Sequence, residues 1–226
     1  ISGPGCPVCV TPVGYIDEAV MLALEKGVKI FTFGDLIRVP GTKKSLADAR
    51  SEGAEVQIVY SPMDALDYAK AHPEEEVCFL SVGFETTPGS VIALRNAISE
   101  KVENFSLLTA NKIMEPAYLA LKGSADAFLY PGHVSTMTGM EVYRKIAKEW
   151  QISGVVTGFT TSEIVTALAT VVRRRAGIFC GKLLSVGGDG RGQSGGPKAG
   201  GQIHGTMRHG MARTWNYSGL RNKAAG

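Results

Sequence analysis

The sequence predicts an α/β protein: two related domains with parallel sheets and helices on both faces, a cleft between them, and an irregular C-terminal tail. Three observations carry this expectation. From Gly14 to about Arg173, short β-rich runs alternate with longer stretches of helical period, and strict alternation builds parallel sheets through right-handed crossovers. Val82 to Thr87 (V-G-F-E-T-T) is similar to Thr157 to Ser162 (T-G-F-T-T-S), which suggests two related halves. The last 46 residues hold 13 of the 28 glycines and show neither period. The predicted units are residues 1–86, carrying a Cys-x-x-Cys loop; 87–178, carrying a Pro-Gly-His loop; and 179–226, a Gly-rich basic tail expected to be flexible because it has little apolar surface to bury.

Each element follows from local pattern. Tyr15, Ile16, Ala19, Val20, Ala23 and Leu24 lie at helix spacing, and Gly27 supplies a stop. Lys29 to Phe33 reads as a strand, Leu46 and Ala49 as part of a weaker helix, and Glu55 to Tyr60 as the next strand. Ser61-Pro62 opens a helix with Ser at the cap and Pro at its first position. Val77 to Val82 is a strand, and Pro88 opens the helix after it. Phe105 to Thr109, Ala127 to Tyr130 and Gly154 to Val156 continue the strands, with helices near 115–123, 139–149 and 161–174; Arg173 to Arg175 close the last as a solvated cationic end.

Composition narrows the function classes. At 226 residues and 44% hydrophobic, the chain suits a globular protein with real cores. Its uncharged stretches, Gln151 to Ser162 among them, fall short of the roughly 20 apolar residues of a membrane helix. The net charge of +3 divides unevenly: residues 1–180 carry −3 and residues 181–226 carry +6. The body is therefore not a nucleic-acid binder by charge, and neither a membrane nor a nucleic-acid partner is expected. The chain opens on a Gly-Pro loop without an initiator Met, so an upstream strand is expected before Ile1. Four cysteines, two of them close together, point to a reducing cytoplasm with metal or redox use.

The unusual residues fall after predicted strands, where parallel sheets place ligands. Cys6 and Cys9, just before a helix, could form a redox pair, half of a metal site or a tight turn. Cys78 in a buried strand and Cys180 at the tail offer no obvious complement. Glu85, Thr86 and Thr87 offer a carboxylate, two hydroxyls and free backbone N–H groups; equally, a Thr there could cap the next helix and Glu85 favour its dipole. No phosphate-binding glycine motif occurs at a strand-to-helix junction. His133 sits on a predicted strand-end loop with Ser135 and Thr136, a placement that favours function over packing. His72 before Pro73 reads as a helix-terminal residue, and His204 and His209 lie in the tail.

Gly3 to Pro12 (G-P-G-C-P-V-C-V-T-P), Gly83 to Thr87 (G-F-E-T-T) and Pro131 to Thr136 (P-G-H-V-S-T) resemble, in that order, the signature motifs of the hydrogenase maturation protein HypD family, over about residues 1–172. The resemblance implies two α/β domains around a cleft and a scaffold for assembling an iron centre with cyanide and carbon monoxide ligands, later inserted into nickel–iron hydrogenases. It also implies a HypC-like small chaperone and a HypE-like cyanide donor as partners. Cys6 and Cys9 match the family's redox-active pair, Glu85 to Thr87 its central loop, and His133 its cleft histidine, so that Cys6, Cys9 and His133 become candidate iron ligands and Ser135 and Thr136 candidate cofactor contacts.

The chain departs from the family in several places. The upstream Cys-Gly-x-His-x-His motif is not in this chain, and the C-terminal cysteines of a [4Fe–4S] cluster have no counterpart, since Cys180 is the only cysteine after Cys78. Ala110-Asn111-Lys112 stands where the family has Ser-His-Lys, Tyr130 where a Cys often precedes Pro-Gly-His, and Gly158 to Thr161 where Gly-Phe-Glu-Pro is usual. The resulting expectation is a metallocentre-assembly scaffold with a redox-active cysteine pair. Its alternatives are a general thiol–disulfide oxidoreductase and a fragment of the family without function.

Overall fold

The computed structural model describes residues 5–173 and 177–182. The chain is α/β with two parallel sheets. Its described residues divide into two compact units: 7–83 with 87–111, and 5–6, 84–86, 112–173 and 177–182.

The first unit holds α1 (Val13–Glu25), β1 (Lys29–Thr32), α2 (Leu46–Ser51), β2 (Val56–Ile58), α3 (Pro62–Ala71), β3 (Val77–Ser81), α4 (Gly89–Ser99) and β4 (Phe105–Thr109). Its four strands run parallel in the order β2-β1-β3-β4, with Ile30 opposite Val56 and Cys78, and Phe79 opposite Leu107. Alternation along the strands sorts their side chains onto two faces. Ile30, Cys78, Leu80 and Leu108 join Ile16, Ala19 and Leu22 of α1 and Leu46 of α2. Phe31, Val77, Phe79, Phe105 and Leu107 join Ala65, Leu66 and Ala69 of α3 and Ala93 and Ala97 of α4. β3 is buried at all five positions, as a strand covered on both faces must be.

Polar side chains close the joints. The Ser61 N–H donates to Asp64 Oδ2 while the Met63 N–H donates to Ser61 Oγ, so the predicted Ser-Pro start of α3 is a reciprocal cap. Asn104 Nδ2 donates to the carbonyls of Ala69, His72 and Glu75, fixing the turn after α3 to the start of β4. His72 ends α3 as expected, its Nδ1 3.0 Å from the Tyr68 carbonyl and its ring stacked on Tyr68. Lys29 Nζ lies 2.6 Å from Glu55, 2.9 Å from Glu75 and 2.9 Å from the Tyr68 hydroxyl, and these bonds hold the Lys29 pKa up and that of Glu75 down.

The second unit holds α5 (Met114–Ala120), β5 (Ala127–Pro131), α6 (Gly132–Thr138), α7 (Glu141–Trp150), β6 (Ser153–Thr157), α8 (Thr161–Arg173) and β7 (Cys180–Lys182). The parallel order is β5-β6-β7. One face buries Phe128, Tyr130 and Val156 with Met114, Tyr118, Val134, Tyr143 and Ile146; the other buries Ala127 and Val155 with Ala167 and Val171 of α8. Central β6 carries Gly154 because the Tyr130 ring fills the space over it: a Cβ there would meet Tyr130 Cζ at 2.7 Å and the Phe128 carbonyl oxygen at 2.9 Å.

Several elements differ from expectation. β4 and α4, expected beyond residue 86 in the second domain, belong to the first unit: β4 pairs with β3, and α4 packs on that sheet. Pro131 to Thr136, expected as a loop, continues from β5 directly into α6. Residues 180–182, expected in the tail, pair with β6. The rest of the tail, with His204 and His209, and Arg174 and Arg175 lie outside the described residues. Among the described residues, no helix is long and apolar enough to cross a membrane.

Candidate functional site

The loop of residues 7–10 is a tight turn closed by the Thr11 N–H donating to the Val8 carbonyl and the Thr11 hydroxyl donating to that of Pro7. Cys6 and Cys9 are exposed and both disulfide-bonded; Cys78 and Cys180 are free. Burial pushes both free thiols up to about 11, so neither offers a ready thiolate. Gly5 packs against Pro131, so the segment carrying Cys6 runs beside the residue that precedes Gly132 and His133.

Each residue of the Gly-Phe-Glu-Thr-Thr segment after β3 has a distinct place. A Cβ at Gly83 would meet Thr87 Cβ at 2.5 Å, so only glycine fits under the threonine. Phe84 is buried in the aromatic cluster of the second unit. Glu85 Oε1 accepts from the Met114 N–H at 2.9 Å, capping α5, while its Oε2 is buried without a hydrogen-bond partner. Neither Thr86 nor Thr87 caps α4, whose N-cap is Pro88 without a side-chain bond. The dipole role considered for Glu85 is thus realised on α5. Behind this segment Asn111 Nδ2 donates to Ser81 Oγ and Ser81 Oγ donates to Ser90 Oγ, tying the loop after β4 to β3 and the first turn of α4.

His133 is the second residue of α6, exposed at one edge, its ring 5.3 Å from that of Phe159 in the loop after β6. Loss of solvent lowers the His133 pKa, partly opposed by the Glu85 carboxylate. The neutral imidazole that results at neutral pH can accept a proton or bind a metal. Ser135 and Thr136 both donate to the Gly132 carbonyl, at 2.7 and 3.0 Å, so their protons are spent within the helix and only their lone pairs remain. In the loop after β6, Thr160 and Glu163 form a reciprocal cap of α8.

The second unit therefore brings together Gly5-Cys6, Glu85 and Pro131 to His133. Sequence reasoning missed the Met114 N–H, which lies 29 positions from Glu85 and carries no motif, and it singled out the loop of Phe159 without relating it to His133. A groove of about 400 Å³ lined by Arg144, Lys148, Gln151, Phe179 and Cys180 contains none of the candidate residues. Among the described residues no three His, Cys, Asp or Glu side chains gather as a metal site.

A family model described as "Hydrogenase formation hypA family" and labelled HypD matches residues 1–177. The chain belongs to the HypD family. It is 42% identical over 180 residues to the "Hydrogenase maturation factor HypD" of Escherichia coli (strain K12), 41% over 187 residues to that of Rhizobium leguminosarum bv. viciae, and 39% over 183 residues to that of Rhodobacter capsulatus. Each alignment covers 77% of this chain and 48% of the relative. The chain spans about half the length of these HypD relatives. The [4Fe–4S] cluster that the resemblance implies does not fit the residues present: it takes four thiolates, whereas Cys6 and Cys9 are disulfide-bonded, Cys78 is buried in the first sheet and Cys180 lies in the second.

Proposed function

We propose that this chain is part of a hydrogenase-maturation scaffold on which an iron centre bearing cyanide and carbon monoxide is assembled as cargo. Family membership supports the reading, and one observation carries it: Gly5 against Pro131, with Glu85 acting on His133, puts elements of all three signature motifs into one unit. Cys6 and Cys9 store two electrons, since oxidation of the dithiol to the disulfide releases two electrons and two protons; the disulfide form is that oxidised end state. Reduction returns two soft thiolates, which with the neutral His133 imidazole suit iron. Glu85 holds the start of α5 through the Met114 N–H. A HypC-like chaperone, a HypE-like cyanide donor and a reducing cytoplasm complete the proposal.

The test is anaerobic maturation of a nickel–iron hydrogenase by a full-length protein containing this segment, supplied with iron and the two partners. Cys6→Ala, Cys9→Ala and His133→Ala are each expected to lower the hydrogenase activity formed at least tenfold. Undiminished maturation in the two cysteine variants removes the role assigned to the pair. The exposure of both cysteines favours a second reading, a general thiol–disulfide oxidoreductase. That reading predicts turnover of ordinary protein disulfides which survives His133→Ala and Glu85→Gln.

A further inference from the structure

Five side-chain atoms among the described residues are buried without a hydrogen-bond partner, and four of them belong to one aromatic cluster and the residue beside it: the hydroxyls of Tyr118, Tyr130 and Tyr143, and Oε2 of Glu85, next to Phe84. They come from α5, β5, α7 and the segment after β3, so no local turn explains their meeting. The rings touch in every pairing, with centroids 4.9 Å apart for Tyr118 and Tyr130, 4.5 Å for Tyr130 and Tyr143, and 6.3 Å for Tyr118 and Tyr143. All three rings are essentially inaccessible to solvent. The Glu85 carboxylate acts electrostatically on Tyr118 and Tyr143; these two hydroxyls approach each other, and that of Tyr143 approaches the Thr138 side chain, in contacts short of full hydrogen-bond geometry.

Proteins leave few buried polar atoms unpaired, roughly one in ten or fewer, and clustered ones are usually served by a shared water making two to four bonds. The chemistry here selects that partner. Phenols can donate or accept, and the carboxylate oxygen only accepts, so the shared group must both donate and accept. An anion is disfavoured beside the carboxylate, and a metal cation lacks further charged ligands. We propose that Tyr118, Tyr130, Tyr143 and Glu85 enclose an internal hydration site whose water links the phenols to Glu85 Oε2 and fixes the direction of the carboxylate. With Oε1 held by the Met114 N–H, both oxygens of Glu85 are then anchored. Tyr118 and Tyr143 are positioning residues for Glu85, a role that rests on the reading of Glu85 given above.

The experiment combines a crystal structure of the full chain at about 1.5 Å with a double-mutant cycle. The crystal is expected to show a water within about 2.6–3.0 Å of at least two of the four oxygens. Tyr118→Phe and Tyr143→Phe are each expected to lower the thermal midpoint by about 2–8 °C, and the double variant by clearly less than the sum, because one water serves both. Isotope-edited infrared spectra are expected to show the Glu85 carboxylate band moved by Tyr143→Phe but not by Phe128→Leu, which alters packing in the same cluster without removing a hydroxyl. Absence of the water, Tyr→Phe variants that raise the midpoint or add independently, or an unmoved carboxylate band overturns the proposal. Maturation by Glu85→Gln is read separately: full activity there refutes the functional role of Glu85 and leaves the hydration site to be decided by density and coupling.

Discussion

Gly83 is fixed by a neighbour four positions on rather than by any turn. The Thr87 side chain occupies the volume a Cβ would need, and its own Cβ belongs to the backbone frame and cannot rotate away. Gly83→Ala is therefore expected to cost about 1–3 kcal/mol, the usual penalty for overpacking, read as a lower denaturant midpoint at unchanged slope. An unchanged midpoint would show that the loop re-forms around the methyl. The same crowding explains how a short segment serves two purposes: Phe84 anchors in the aromatic cluster and Glu85 reaches the first N–H of α5. Of this, the sequence singled out Glu85, His133 and the cysteines as candidates, because such residues beside glycine and proline after a strand are poor packing material. It could not reveal that Glu85 meets Met114, since a hydrogen bond spanning 29 positions leaves no local pattern.

At the scale of elements, the starts of helices were the most readable feature. Ser61-Pro62 supplies both the acceptor and the preset backbone angle, and the Ser61 and Asp64 bonds realise it. Ser61→Ala is expected to cost about 1 kcal/mol and Ser61→Asp very little, measured by chemical unfolding; equal losses would mean the side-chain cap contributes nothing. The strand Phe105–Thr109 matches its expected bounds because its apolar run is closed by Asn104 on one side and polar residues on the other. α6 was hidden by its own composition. Pro-Gly signals a turn, and Ser and Thr favour loops by bonding to nearby backbone. Here Pro131 is the extended N-cap, and Ser135, Thr136 and Thr138 bond back to carbonyls of the same helix, at Gly132 and Val134. β7 was hidden because three residues with glycine at the centre carry too little period to register.

Across the whole molecule, both units keep tyrosines in their cores, and this sets an alkaline limit on stability. Burial raises the phenol pKa of Tyr15, Tyr118 and Tyr130, and pushes that of Tyr143 up to about 12. Unfolded phenols ionise near 10, so between that value and the folded ones the unfolded state sheds protons that the native state retains. The contribution is complete below about pH 10 and is lost as pH rises through the folded values. Cys78 and Cys180, raised to about 11, act in the same direction from a lower starting point. The unfolding midpoint is expected to hold between pH 7 and 8 and to fall steeply above pH 10, with tyrosinate absorbance appearing together with unfolding. A midpoint flat to pH 12 would contradict this. The boundary between units was less legible than either core, because the similarity of the segments after β3 and β6 suggests two repeats, whereas hydrogen bonding assigns β4 to the first sheet and packing brings α4 with it.

The Tyr130 ring lying over Gly154 makes space a joint possession of two adjacent strands. Shrinking residue 130 alone does not free position 154, because the Phe128 carbonyl oxygen also stands 2.9 Å from where a Cβ would lie. Through this part of the second sheet, residue 130 can vary in size only downward while 154 stays glycine, so one position carries the constraint of two strands.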